Sequence, residues 1–221
     1  MHVMKMDVQG EPNLGLLANC NEEICLVGRN FTEKETEKIE KVLDVDIKKV
    51  SIAGTNLIGI FTAMNSTGLI LPSIIEDYER EELEKLGLNI LVPETIENAF
   101  GNLILVNDYG CVIPKVLERI KNDIKECFGV PVEVGTIAGS RLLGSMGVVT
   151  NRGLLAHRDC TEEELKHLEK VLGVEGDIGT VNFGSPFVGA FVLANSRGVL
   201  VPEMTTGPEI ARVDEALGFL R

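Results

Sequence analysis

The stretch Gly59-Ile60-Phe61-Thr62-Ala63-Met64-Asn65-Ser66-Thr67-Gly68-Leu69-Ile70-Leu71-Pro72 decides the reading of the whole chain, because its pattern occurs four times. Gly101 to Gly110 to Pro114, Gly144 to Gly153 to His157 and Gly189 to Gly198 to Pro202 each keep two glycines nine residues apart, with Pro or His four later. Successive copies are offset by 42, 43 and 45 residues, and a diverged fifth copy opens at Gly15, 44 residues before Gly59. Spread over 221 residues, five copies take about 44 residues each, a period that marks solenoids and propellers. The repeats run approximately 1–46, 47–88, 89–130, 131–174 and 175–221, so residues 1–221 read as a single five-repeat domain without a linker.

Each copy reads as an apolar strand, a turn, a second short strand and an amphipathic helix. Strand segments are expected at Val50 to Ala53, Leu103 to Val106 and Phe191 to Leu193. Thr32 with Glu35, Thr161 with Glu164 and Thr206 with Glu209 place a hydroxyl at a helix N-cap and a carboxylate three residues on, the capping-box spacing. Gly87, Gly129, Gly173 and Gly218 stand where the second to fifth helices should stop, and Asp44 where the first should. Leu165, Leu168, Val171 and Leu172 recur at threes and fours, the stripe that packs a helix inward. An open solenoid needs polar terminal caps, whereas the last copy is as apolar as the middle ones, so the repeats are expected to close on themselves. The fold class is therefore α/β, a closed ring with five-fold pseudosymmetry built of strand-strand-helix units. A closed ring is also expected to leave no free strand edge, which favours a monomer.

Composition excludes several functions. With 21 Lys+Arg against 34 Asp+Glu the formal charge is −13, which repels bare nucleic acid and anionic lipid. Aromatics are 5% with no Trp, too few for a base-stacking platform. Five cysteines in unpaired spacings, apolar runs of strand length and an N-terminal stretch without an apolar signal core point to a reduced cytoplasmic compartment, no membrane span and no metal set.

The five-fold repeat, the elements Ala53-Gly54-Thr55, Ala138-Gly139-Ser140 and Phe183-Gly184-Ser185 ahead of the ladder glycines, and the block from Gly101 to Gly110 together resemble the archaeal and eukaryotic translation initiation factor six family. The likeness spans the entire chain. It implies a five-bladed α/β ring of the pentein type that binds the large ribosomal subunit and blocks joining of the small one. It also implies a binding protein without active site or cofactor, acting in large-subunit biogenesis too. An acidic factor would dock mainly on a basic ribosomal protein and touch rRNA little.

In a ring of equivalent blades, recurring positions serve the scaffold and variable ones serve binding. The residue after each ladder glycine varies: Leu16, Ile60, Asn102, Ser145 and Ala190. These five are expected on one face around the axis. The resemblance implies that Asn102, with Asp108, Ser145 and Met146, belongs to the surface that meets the large subunit. Ile60 stands where some relatives carry a basic residue. Eukaryotic members carry a regulatory extension after the fifth blade, whereas this sequence ends at Arg221.

Three chemical motifs compete with this reading. Gly139 to Ser145 has Walker-like glycine spacing, but Ser145 replaces the phosphate-binding Lys, and the same glycine pair recurs at Gly10/Gly15, Gly54/Gly59 and Gly184/Gly189. His157-Arg158-Asp159 matches a kinase tripeptide, but Glu164 stands in place of the catalytic-loop Asn. The same tripeptide resembles the His-x-Asp element of guanidine-modifying hydrolases such as the deiminases, which share the ring. Those enzymes need a C-terminal Cys nucleophile, and no cysteine follows Cys160. The hydrolase is the alternative function, with His157 and Asp159 as its required residues.

Overall fold

The computed structural model describes residues 2–220. Its helices begin where the sequence can satisfy their first amides. Capping boxes built from Thr32 and Glu35, Thr161 and Glu164, and Thr206 and Glu209 open helices Glu33–Leu43, Glu162–Leu172 and Gly207–Ala216. Glu76 takes the capping role for Asp77–Glu84, with Glu79 as its partner. The third repeat differs: Pro114 leads into a 3-10 turn, Lys115–Ile120, that continues as helix Lys121–Phe128. The helices stop at or just before left-handed residues, among them Asp44 at φ 53° and Gly173 at φ 67°.

Among the described residues the strands form five three-stranded sheets. The first joins Ala18–Cys20 and Ile24–Gly28 as an antiparallel hairpin and adds Asp46–Val50 in parallel. The same arrangement recurs in Ala63–Met64, Gly68–Ile70 and Asn89–Leu91; in Leu105–Val106, Cys111–Ile113 and Val132–Val134; and in Gly147–Val149, Leu154–His157 and Gly176–Gly179. In the fifth sheet, Leu193–Ala194 and Val199–Val201 receive their third strand from the other end of the chain, Val3–Lys5, with Val3 opposite Val199 and Lys5 opposite Val201. In the first four sheets the third strand thus lies beyond the intervening helix, offset from the sequence repeat.

Two expectations need correction. Each repeat has a third strand and an additional one-turn helix carrying the ladder glycine: Leu14–Leu17, Ile58–Phe61, Phe100–Leu103, Leu143–Met146 and Val188–Phe191. Leu103 and Phe191 end such turns rather than lying in strands, and the strand that contains Val50 stops there, since Ile52 bridges back to Thr55 across a turn. The ring also keeps free edges, because the third strand is the outer edge of each sheet. Charge protects that edge in the first sheet, where Asp46, Lys48 and Lys49 stand along it.

The ring closes at its axis. A Cβ built on Gly59 would stand 2.0 Å from the carbonyl oxygen of Gly15, on Gly101 1.7 Å from that of Gly59, on Gly144 1.9 Å from that of Gly101, on Gly189 2.0 Å from that of Gly144, and on Gly15 2.0 Å from that of Gly189. Five backbones pass too close for any side chain, and the fifth contact returns to the first. The core fills the spaces between blades: Leu83 of helix Asp77–Glu84 packs with Leu26 and Val50 of the first sheet and Leu69 of the second.

Candidate functional site

A cavity of about 110 Å³ follows the axis, lined at one end by the five ladder glycines and farther along by Cys20, Met64, Val106, Val149 and Ala194. A smaller one of about 30 Å³ shares those five residues and continues to Asn21, Asn65, Asn107, Thr150 and Asn195. The axis therefore has a glycine end and an asparagine end, each built by one repeated position.

The asparagine end is a closed hydrogen-bond economy. Asn65 donates through Nδ2 to the carbonyls of Asn107 and Phe128, while its Oδ1 accepts the amides of Thr67 and Gly68. Asn107 repeats the pattern with the carbonyls of Thr150 and Leu172 and the amides of Tyr109 and Gly110. Asn195 bonds the carbonyls of Asn21 and Leu43 in the same way. The residues that follow form an outer ring. Asp108 accepts the amide and hydroxyl of Ser66, both at 2.8 Å, and the Asn151 side chain at 2.6 Å, while the Ser196 hydroxyl donates to Glu22 at 2.8 Å.

The glycine end carries the turns that precede the one-turn helices. In four repeats such a turn is held by the capping-box glutamate. Glu79 accepts the amides of Ala53 at 2.7 Å and Gly54 at 3.0 Å; Glu164 accepts those of Ala138 and Gly139, Glu209 those of Phe183 and Gly184, and Glu35 that of Gln9. Burial pushes the Glu164 carboxyl up, but bonds from Thr136, Gly139 and Thr161 outweigh it and bring it down to about 2. Glu35, Glu79 and Glu209 move the same way. This explains the Walker-like spacing. The amide nest at Ala138 and Gly139, which could hold a phosphate, already holds Glu164.

These clasps put the helix N-termini, the turns and the one-turn helices on one face. The five variable positions lie there, directly after the ladder glycines. Asn102 and Ser145 are brought together, with the Ser145 hydroxyl donating to Asn102 Oδ1 at 3.0 Å, and both are half-buried. Ile60 and Leu16 are half-buried as well, while Ala190 is buried. Two of the expected contact residues do not join them. Asp108 lies at the asparagine end, where its carboxylate is engaged by Ser66 and Asn151. Met146 is 5% exposed and packs in the core with Leu143 and Ile137, so its side chain offers no surface. The exposed apolar residues of the glycine face are not legible in the sequence: among them are Leu57 and Phe187 just before one-turn helices, Ile96 and Phe183 in the loops five to six residues before ladder glycines, Ile74 and Met204 ahead of helix starts, and Val116 in the 3-10 turn.

Of the tripeptide of the alternative reading, His157 is buried while Arg158 and Asp159 are exposed. His157 Nδ1 accepts the amide of Asp159 at 3.1 Å, and its ring meets the edge of Phe187 at a centroid distance of 5.6 Å. Burial lowers the His157 pKa, with Asp159 opposing. The neighbouring thiol of Cys160 is raised by burial to about 11, and that of Cys127 likewise, so neither is a thiolate at neutral pH. Among the described residues no group of three His, Cys, Asp or Glu is placed to hold a metal ion, and no buried side-chain nitrogen or oxygen lacks a partner. No helix is long and apolar enough to cross a membrane.

Comparison with known proteins agrees with this geometry over the whole chain. It is 40% identical to translation initiation factor 6 of Thermococcus onnurineus and 37% identical to that of Pyrococcus horikoshii, each alignment covering all of both chains. It is 36% identical to translation initiation factor 6 of Methanocaldococcus jannaschii over 99% of each. Residues 3–216, from the strand that completes the fifth sheet to the last helix, match the eIF-6 family, and the chain belongs to that family.

Proposed function

We propose that this chain serves translation initiation by binding the free large ribosomal subunit and keeping the small subunit from joining it. The observation that carries the reading is full-length membership of the eIF-6 family on a ring whose glycine face presents the variable positions. The mechanism is steric. A closed ring of 24.1 kDa seated on the joining face excludes the small subunit in proportion to its occupancy, and no bond is made or broken. The chain acts as a cytoplasmic monomer without enzymatic activity, and the same occupancy on an unfinished large subunit makes it an assembly factor. A net charge of −13 favours a basic ribosomal protein over rRNA as the main contact. Asn102, Ser145 and Ile60 are the docking positions, since they are partly exposed, adjacent to the axis and different from blade to blade.

The test is co-sedimentation of the purified protein with isolated large subunits, small subunits and joined ribosomes. Binding to free large subunits alone, weakened by Asn102→Ala, is the expected result. A protein that stays unbound in every fraction overturns the reading.

A further inference from the structure

In four repeats the residue five before the ladder glycine is itself a glycine with positive φ, Gly10, Gly54, Gly139 and Gly184, and the residue twenty after the ladder glycine is the glutamate that clasps its turn. The third repeat changes both positions together. Ile96 replaces the glycine and Lys121 replaces the glutamate. Lys121 turns away to Glu133, 2.9 Å distant, and no residue from 92 to 99 has a positive φ. A β-branched residue cannot take the left-handed turn, and an ammonium cannot accept its amides, so each substitution removes the need for the other. The result is a different loop, residues 93–98, on the glycine face, with Ile96 six residues ahead of Asn102.

Ile96 is 89% exposed, the most exposed large apolar side chain among the described residues. The loop beneath it is nevertheless tied down. The Ser73 amide and hydroxyl donate to Asn98 Oδ1 at 2.9 and 3.0 Å, Arg119 donates to the Glu94 carbonyl at 3.1 Å, and Arg141 pairs with Glu97 at 3.3 Å. Those bonds join the loop to the segments that carry Ile74, 50% exposed, and Val116, 42% exposed. An apolar tip on a braced loop binds with little ordering cost, which is what an interface anchor requires. The local cations are engaged: Arg119 by a carbonyl, Arg141 by Glu97 and Lys115 by Glu118. Glu76, Asp77 and Glu94 are exposed beside them. The accessible charge around the tip is acidic, which suits lysine- and arginine-rich protein and repels phosphates.

We propose that the loop of residues 93–98, with Ile96 at its tip and Ile74 and Val116 alongside, is the anchor that seats the chain on a basic protein of the large subunit. This rests on the ribosome-binding reading above and adds the residues that hold the partner. Because Ile96 makes no core contact, Ile96→Asp leaves the fold intact, which an unchanged melting temperature checks. In co-sedimentation with purified large subunits, Ile96→Asp is expected to bind at least tenfold more weakly than wild type. Tyr109→Asp, at an exposed position of the asparagine end, is expected to stay within twofold. A p-benzoylphenylalanine introduced at position 96 should crosslink to a basic ribosomal protein. Wild-type affinity in Ile96→Asp, or a crosslink to rRNA, overturns the anchor and leaves the ribosome reading standing. Failure of the wild-type chain to bind large subunits overturns both.

Discussion

The carbonyl oxygen of Gly189 lies where a Cβ of Gly15 would have to be, 2.0 Å from its ideal position, and this contact joins the first repeat to the last. The four other ladder glycines meet in the same way, so the ring closes by backbone apposition as well as by the N-terminal strand in the fifth sheet. Closure of this kind fixes the geometry of the glycine face, because every one-turn helix is positioned by its neighbour.

Gly101→Ala tests the apposition most directly, since its Cβ would meet the Gly59 carbonyl at 1.7 Å and the Thr62 carbonyl at 2.6 Å. Both obstacles are backbone and cannot rotate away. The expected loss is about 1–3 kcal/mol or more, the range for overpacking. That corresponds to a melting temperature lower by roughly 2–4 °C per kcal/mol in a domain of this size. Gly207→Ala, whose Cβ would meet nothing within 4 Å beyond its chain neighbours, is opposed only by the adjacent Pro208, which disfavours helical backbone on a residue with a Cβ, and should cost less than Gly101→Ala.

The glutamate clasps predict the acid side of the stability curve. Glu164 has its folded pKa at about 2, below its ordinary 4.5, so the unfolded chain binds more protons between those values. Its contribution is fully present above pH 4.5 and is lost as pH falls toward 2. Glu35, Glu79 and Glu209 are lowered as well and add to the same slope. Urea midpoints measured from pH 6 to pH 2.5 should therefore fall, and Glu164→Gln should flatten the fall. At neutral pH, Glu79→Gln should cost about 1.5–3 kcal/mol, because Glu79 is 1% exposed and its charged bonds to Ala53 and Gly54 are weakened. An identical acid slope in Glu164→Gln and wild type would rule the clasp out as its source.

The repeat period, the helix caps and the ring were legible because they depend on residues that recur at fixed spacings, such as Gly15, Gly59 and Gly101. The placement of Leu103 in a one-turn helix was not, since a four-residue apolar run fits a buried strand equally well and only the axial contact of Gly101 decides between them. Asp108 and Asn102 fall in one block of sequence, yet the strand between them, rising about 3.3 Å per residue, carries them to opposite ends of the axis. Met146 reads as a neighbour of Ser145, but adjacent residues in a helical turn point about 100° apart, and Met146 points into the core. In the sequence Glu35, Glu164 and Glu209 show only the spacing of caps and Glu79 does not show even that, because the second partners of all four are backbone amides some 25 residues away that no side-chain pattern reveals.

Asn107, like Asn65 and Asn195, is predicted to be a costly polar position at the asparagine end. It is 5% exposed and makes four bonds, two to carbonyls of the next repeat and two to amides of its own turn. Asn107→Ala leaves buried backbone groups unpaired at about 1–3 kcal/mol each, so a loss of several kcal/mol is expected in chemical denaturation. Asn107→Thr should recover part of it. The fourth repeat carries Thr150 at this position, whose hydroxyl still accepts the Arg152 amide at 3.1 Å.

Thiol chemistry offers a last check on how the axis is built. Cys20 is half-buried and lines both cavities, whereas Cys25 and Cys111 are 0% exposed, and burial pushes both of their thiols well up. Cys127 and Cys160 are buried and raised to about 11. Alkylation proceeds through the thiolate and needs access, so Cys20 should be modified first in the native protein. The other four should react only as fast as the ring opens. Iodoacetamide labelling followed by mass spectrometry of the peptides reads the order, and labelling of Cys111 at the rate of Cys20 would contradict the closed packing of the third blade. In Gly101→Ala, where the axial contact is forced apart, Cys111 should gain reactivity relative to wild type, linking the thiol pattern to the same backbone apposition that closes the ring.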